Sequence, residues 1–301
     1  MHKTVLIHTP LSAYHLTGSS HPESPLRYTT ILNALDTICA TQSIEKPCPI
    51  KWLLLAHDRR YIQLVKKSCE QLTQGQVATL STGDVNICSH SFDAARAAVA
   101  CALYAADAIM KNTYQNAFVL ARPPGHHATR ERGMGFCLFN TAAIAARYLQ
   151  YKYRLNRIAI VDWDAHFGNG TASIVSDNSS ILYTGTHKKG AYPAVDSSNS
   201  KSLAVSSRKE LMAFYTDHLP RLLSEFKPEC ICLSCGFDAH VLDPLASLGL
   251  SSQDFETLTQ CICSLAKEHC SGKILSILEG GYNLQALEEC VRQHLKSLSK
   301  T

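Results

Sequence analysis

The sequence has no block of lysines and arginines, no apolar stretch long enough to cross a membrane, no internal repeat and no long linker. Each absence removes a class. The balance is 29 basic against 25 acidic side chains, a net charge of +4, so without a basic stripe nothing points to direct nucleic-acid binding. A membrane span needs roughly 18 or more consecutive apolar residues, which no segment supplies. The opening run Val5-Leu6-Ile7 is too short for the core of a secretory leader, and histidines and Pro10 interrupt its surroundings. A cytoplasmic setting is expected, with a nuclear or host-cell location also compatible. With neither repeat nor linker, residues 1–301 read as one domain. Cysteine is abundant by contrast: thirteen residues, expected as mostly buried free thiols in a reducing compartment. The one C-x-x-C, Cys232 to Cys235, falls in a strand-like run, where residues three apart point to opposite faces. It is not expected to bind metal or cycle redox states.

Apolar strand-like runs alternate with helical periodicity. Strands are expected at 3–8, 52–56, 116–121, 157–162, 180–185, 229–235 and 273–278. Helices are expected near 25–40, 59–73, 91–111, 139–152, 208–225, 252–269 and 284–298, with Ser91 capping the Ala-rich third one. Runs such as Ile158-Ala159-Ile160-Val161 suit a parallel sheet covered on both faces. The repeated alternation gives a doubly wound α/β layer structure. Stretch 187–207, rich in Ser, Lys and Asn, reads as a loop on the rim of a site. In open α/β sheets ligands gather at the carboxyl ends of the strands. Every chemically suggestive cluster in this chain follows a predicted strand.

In Asp162-Trp163-Asp164-Ala165-His166, alternate residues of an extended segment share a face and bring two carboxylates beside an imidazole. Asp238 follows another strand. Asp164, His166 and Asp238 would give three protein ligands and leave a position for water, as a catalytic zinc site requires. Taken singly, each aspartate could equally cap the helix after it. The adjacent pair His126-His127 in a Pro/Gly loop reads as acid/base machinery, and Asp162 and Asn169 are available to fix the two tautomers. In Glu279-Gly280-Gly281-Tyr282, the glycines allow close backbone approach, and Tyr282 could donate to a developing oxyanion. By itself that segment is equally an ordinary strand-to-helix turn with a packed tyrosine.

Further strings complete a pattern: His21-Pro22-Glu23-Ser24-Pro25-Leu26-Arg27, the segment Ser81 to Ala95 containing Asp84, Arg122 to Ala128, Gly133 to Asn140, and Gly236 to Leu245. Together and in order they resemble the zinc-dependent histone deacetylase family, which includes acetylpolyamine amidohydrolases and acetoin utilisation proteins. The resemblance implies an arginase/deacetylase fold, a three-layer α/β/α domain around a central, mainly parallel, eight-stranded sheet. It implies one zinc ion per chain on Asp164, His166 and Asp238, active-site histidines His126 and His127, and Tyr282 as the oxyanion donor. Phe136, with Gly135 before it, matches one wall of the family's acyl-lysine tunnel, and Tyr192 stands where the opposite wall belongs. Asp84 and Leu245 match rim positions. The family also carries a structural potassium, held partly by the carboxylate and main chain around Asp162. Phe167 and Gly185 depart from the pattern: the first replaces a common histidine, the second a serine that helps hold potassium. The 187–207 loop is also short.

The expected reaction is zinc-dependent hydrolysis of the amide of an acylated, most simply acetylated, amine. The substrate is an N-ε-acyl-lysine in a peptide or protein, or alternatively a small acetylated amine such as an acetylpolyamine. Leu245 stands where dedicated polyamine deacetylases of the family carry Glu, and leucine cannot pair with an ammonium, which favours acyl-lysine. A binuclear manganese ureohydrolase would need a carboxylate at Gly168 and another at His240, so its second metal would lack ligands. A non-catalytic acyl-lysine binder would be expected to have lost Tyr282 or a zinc ligand, yet every such position is filled. The sequence is silent on oligomeric state.

Overall fold

The computed structural model describes residues 3–34, 38–194 and 201–300. Among the described residues ten strands follow one another: β1 (Thr4–His8), β2 (Ala40–Ser43), β3 (Ala78–Thr79), β4 (Asn86–Ile87), β5 (Asn116–Val119), β6 (Ile158–Asp162), β7 (Ile181–Lys188), β8 (Lys201–Val205), β9 (Cys230–Cys235) and β10 (Ile274–Leu278). Eight form one sheet in the order β2-β1-β5-β10-β9-β6-β7-β8, and every neighbouring pair is parallel. Strands β3 and β4 make a separate antiparallel ribbon. The eight-stranded parallel sheet expected from the resemblance is present.

The helices are α1 (Pro25–Ala34), α2 (Ile50–Leu53), α3 (Arg59–Glu70), α4 (Ser91–Met110), α5 (Thr141–Tyr153), α6 (Asn169–Val175), α7 (Arg208–Ala213), α8 (Leu219–Phe226), α9 (Ser252–Cys270) and α10 (Leu284–Lys300). A π-helical turn, Phe214–His218, joins α7 to α8. Two apolar cores lie on opposite faces of the sheet. Ile158, Ile160 and Cys232 face α3 to α6, while Ala159, Val161, Leu233 and Cys235 face α1 and α7 to α10. The strands are therefore apolar on both sides, as burial under two helix layers demands. Cys232 and Cys235 part to opposite faces, and all thirteen cysteines are free. Among the described residues no helix is long and apolar enough to cross a membrane.

Several expectations need correction. Residues 52–56 are not a strand: α2 takes Ile50–Leu53, with Pro49 at its N-cap, and turns follow. A five-residue apolar run is equally a buried helix segment, and proline favours a helix start. Ser91 does not cap α4. It is the first helical residue, and its hydroxyl instead accepts from Cys88 N at 2.8 Å and pairs with His15 Nδ1 at 2.7 Å. The helix expected at 25–40 runs to Ala34; residues 35–37 lie outside the described residues, and Ala40 opens β2. The 187–207 loop is partly strand, since β7 reaches Lys188 and β8 begins at Lys201, while residues 195–200 lie outside the described residues.

The strand order positions the site. Because β5, β10, β9 and β6 are adjacent and parallel, the loops after them open side by side at one end of the sheet.

Candidate metal centre and active site

Asp164 and His166 follow β6, and Asp238 follows β9. Their ligand atoms all lie within 4.8 Å of one another. His166 Nδ1 is 3.0 Å from Asp164 Oδ1 and 2.8 Å from Asp238 Oδ2. Main-chain donors fix the carboxylates: Ala165 N donates to Asp238 Oδ1 and Gly280 N to Asp164 Oδ2, each at 2.8 Å. Asp238 Oδ2 is buried without a properly directed hydrogen bond. A Cβ at Gly280 would come within 2.6 Å of both Asp164 Oδ2 and Asp238 Oδ2, so only glycine lets β10 close against them.

The electrostatics are those of a site short of positive charge. Burial and the Asp164 charge push Asp238 up to about 7. Burial opposes the charge on His166, but Asp238 and Asp164 outweigh it and push the imidazole up to about 11. Two oxygens and a nitrogen gathered within 4.8 Å, one oxygen otherwise unsatisfied, suit a divalent cation that accepts N and O ligands, as zinc does.

Asp162 turns away from this cluster. Its Oδ2 faces His126 Nδ1 at 3.1 Å, while His127 Nδ1 faces Asn169 Oδ1 at 2.8 Å. The two rings are 4.0 Å apart, both buried, yet oppositely tuned. Burial disfavours charge on His126, but Asp164 and Asp162 prevail and raise it to about 10. Burial, then the charges of His126 and His166, hold His127 well below its ordinary value. Two residues without a role in the sequence reading pin this loop. Glu279 Oε2 accepts from Gly125 N (2.7 Å) and His126 N (3.1 Å). Asn140, which caps α5 through Ala143 N, donates to Ala128 O at 3.1 Å.

A cavity of about 410 Å³ opens over His127 and His166. Its walls are Asp84, Gly135, Phe136, Tyr192, Leu245 and Tyr282, all named from the sequence, and Lys188, Lys189, Gly190 and Ala191, which belong to the 187–207 stretch expected on the rim of a site. Gly135 and Phe136 both have positive φ, and a Cβ at Gly135 would collide with the His127 ring. Asp84 Oδ1 accepts from Gly135 N (2.7 Å) and from the Tyr192 hydroxyl (3.3 Å), joining the two walls. Gly280 and Gly281 do not line the cavity; they shape the turn that delivers Tyr282, Gly281 at φ +114°. Arg27 holds that turn. Its Nε donates to Gly281 O at 2.7 Å, its guanidinium lies 5.0 Å from the centre of the Tyr282 ring, and Glu23 anchors it at 3.1 Å. Glu23 also binds Arg122 at 2.8 Å, so the early HPE motif buttresses the late tyrosine. The motif strings contained all these residues, but a buried ion pair has no periodicity to reveal it.

Two oxygens of Asp162, the residue that the resemblance places beside potassium, accept hydrogen bonds from phenols. Its carbonyl accepts from the Tyr215 hydroxyl at 3.1 Å, and its Oδ2 accepts from the Tyr183 hydroxyl at 3.1 Å. Gly185, opposite Asp162 in the ladder, offers no hydroxyl, and a Cβ there would overlap the same carbonyl oxygen. Phe167 packs on His187 and Tyr183, at 4.9 and 6.1 Å between rings, and so supports the Tyr183 phenol.

Comparison with known proteins agrees with this geometry. The family model for the histone deacetylase domain matches residues 21–298. A Synechocystis protein, slr0245, is 35% identical over 94% of this chain and 95% of its own length. Histone deacetylase 14, chloroplastic, of Arabidopsis thaliana is 32% identical over 97% and 76%. Polyamine deacetylase HDAC10 of Danio rerio is 33% identical over 92% of this chain and 44% of its own. The crystal structure of the HDA15 HD domain superposes with a TM-score of 0.87 at 28% identity, covering 99% of this chain and 90% of that one. The fold is the arginase/deacetylase fold of α/β hydrolytic enzymes. The chain belongs to the histone deacetylase family, whose characteristic chemistry is zinc-dependent hydrolysis.

Proposed function

We propose that this chain removes the acetyl group from an acetylated amine by zinc-dependent amide hydrolysis, with N-ε-acetyl-lysine in peptides or proteins as its substrate. The observation that carries this reading is the convergence of Asp164, His166 and Asp238 beneath a cavity whose floor also presents His127. Those three side chains would hold zinc, which when bound supplies Lewis-acid activation of water and of the amide carbonyl.

The protein's own groups do the rest. Asn169 Oδ1 accepts from His127 Nδ1, which leaves Nε2 as the basic nitrogen. A neutral His127 takes the proton of the attacking water and delivers it to the departing amine. His126, held protonated by Asp162, keeps positive charge beside the reaction. Tyr282 donates its hydroxyl hydrogen to the oxygen that becomes negative. Phe136 and Tyr192 flank the aliphatic arm, Asp84 and Leu245 stand at the rim, and the glycines at 135, 280 and 281 keep the walls close. Thirteen free thiols suit a reducing compartment and support a cytoplasmic setting.

The second reading is an acetylated polyamine, supported by the polyamine deacetylases of zebrafish and mouse among the relatives. One experiment separates the two. The zinc-loaded protein is assayed on acetyl-lysine peptides, longer acyl-lysines and acetylpolyamines, with and without chelator. Acetyl-lysine turnover that chelator abolishes and zinc restores is expected; turnover of acetylpolyamines alone would reject the substrate. Tyr282→Phe is expected to bind zinc normally and lose about 100–1000-fold in kcat. Near-normal rates in that variant would reject the oxyanion role.

A further inference from the structure

The cavity carries an unassigned charge. Lys188 ends β7 and Lys189 follows it, and both border the cavity. The turn that bears them is held in place: Lys188 N donates to Ala165 O and Lys189 N to Val205 O, each at 2.8 Å, and Ala191 N donates to Lys188 O at 3.1 Å. Lys188 is half-buried and Lys189 exposed. Among the described residues, neither ammonium makes an ion pair. Among the described residues the only carboxylate in the lining is Asp84, and one of its oxygens is engaged by Gly135 and Tyr192. Phe136 and Leu245 also line the cavity and carry no charge. The cavity, about 410 Å³, is in the range of about 300–1000 Å³ that accommodates more than a slender acylated arm. Part of the substrate outside that arm therefore passes beside two lysines.

We propose that Lys188 and Lys189 form a carboxylate-binding subsite, so that the preferred substrate is an acylated amine bearing a carboxylate close to its acyl-amino arm. This rests on the deacetylase reading. The carboxylate has two possible sources: an acidic side chain flanking an acetyl-lysine, or the α-carboxylate of the acetylated amino acid itself. A cationic acetylpolyamine is repelled by the same pair.

The test uses the zinc-loaded full chain and acetyl-lysine peptides that differ only in Asp, Gln or Lys neighbours, together with N-ε-acetyl-lysine and its α-amide. For the peptides, kcat/KM should rank Asp over Gln over Lys, spanning about tenfold at low ionic strength, as expected for exposed ion pairs. The span should shrink in high salt. A preference for free acetyl-lysine over its amide assigns the α-carboxylate; a preference confined to peptides assigns the side chain. In Lys188→Gln/Lys189→Gln the Asp-to-Lys ratio should fall towards one, and Lys189→Glu should invert it. Binding of the same peptides to Tyr282→Phe, read by fluorescence anisotropy, should show the same order without turnover. Equal kcat/KM for all peptides, and for free acetyl-lysine and its amide, with turnover intact, overturns the subsite alone. Turnover restricted to acetylpolyamines overturns both the subsite and the acyl-lysine reading.

Discussion

Two buried histidine environments in this molecule have opposite electrostatic outcomes. His294, on α10, is fully enclosed by Phe118, Trp163 and Phe237, and its nitrogens meet the hydroxyls of Thr259 (2.8 Å) and Ser276 (2.9 Å). Burial drives it down to about 3. His126 is just as buried but meets carboxylates, and it rises to about 10. His127, beside it, meets a neutral amide and is held low. Burial alone makes an imidazole neutral; only a carboxylate partner reverses that. One residue type thus serves as a core polar link, a fixed cation and a proton acceptor, according to its neighbour.

The largest test of this contrast is His127→Ala, expected to lower kcat by about 100–10,000-fold with zinc content unchanged. His294→Gln should keep most turnover. Equal losses in the two would show that position, not partner, decides the role. Next comes Asp162→Asn, which removes one of the two carboxylates, Asp164 and Asp162, that favour the His126 proton; activity should fall about 10–100-fold.

A smaller effect concerns stability. The folded pKa of His294 lies below that of a free imidazole, so between pH 6.5 and about 3 the unfolded chain binds a proton that the folded chain refuses. The stability present above 6.5 is lost as pH falls through that window, at about 1.4 kcal/mol per pH unit. In urea unfolding at pH 8 and pH 5, His294→Gln should be less stable than wild type at pH 8 and show a shallower acid loss. An unchanged slope would mean that the histidine is not held neutral. The smallest effect is expected from replacing potassium with choline at constant ionic strength. With Tyr215 and Tyr183 on Asp162, the unfolding temperature should not move. A saturable rise with potassium would place a cation beside Asp162 and weaken the account of His126.

Much of this was legible in the sequence. Six of the seven expected strand segments contain a strand, because strands apolar on both faces read as continuous runs. The edge strands β2 (Ala-Thr-Gln-Ser) and β8 (Lys-Ser-Leu-Ala-Val) were not legible: β2 has no apolar run, that of β8 is only three residues long inside a polar stretch, and neither is buried along its length. The metal cluster was legible because its residues follow strands that the topology makes adjacent. Asp162 was expected among carboxylates on one face; the chain leaves strand geometry after it, so Asp164 and His166 turn to Asp238 while Asp162 takes His126. The buttress from Glu23 through Arg27 to Tyr282 links residues more than 250 positions apart and leaves no local pattern.

Because all seven ladders of the main sheet are parallel, each connection must travel back the length of the sheet before the next strand begins. The turns therefore fall into two sets at opposite ends. The far set, around 112–115, 154–157, 178–180, 227–229 and 271–273, contains none of the residues assigned to chemistry. A tag, dye or surface tether attached there would immobilise the enzyme with its mouth directed outward, leaving large substrates free to approach.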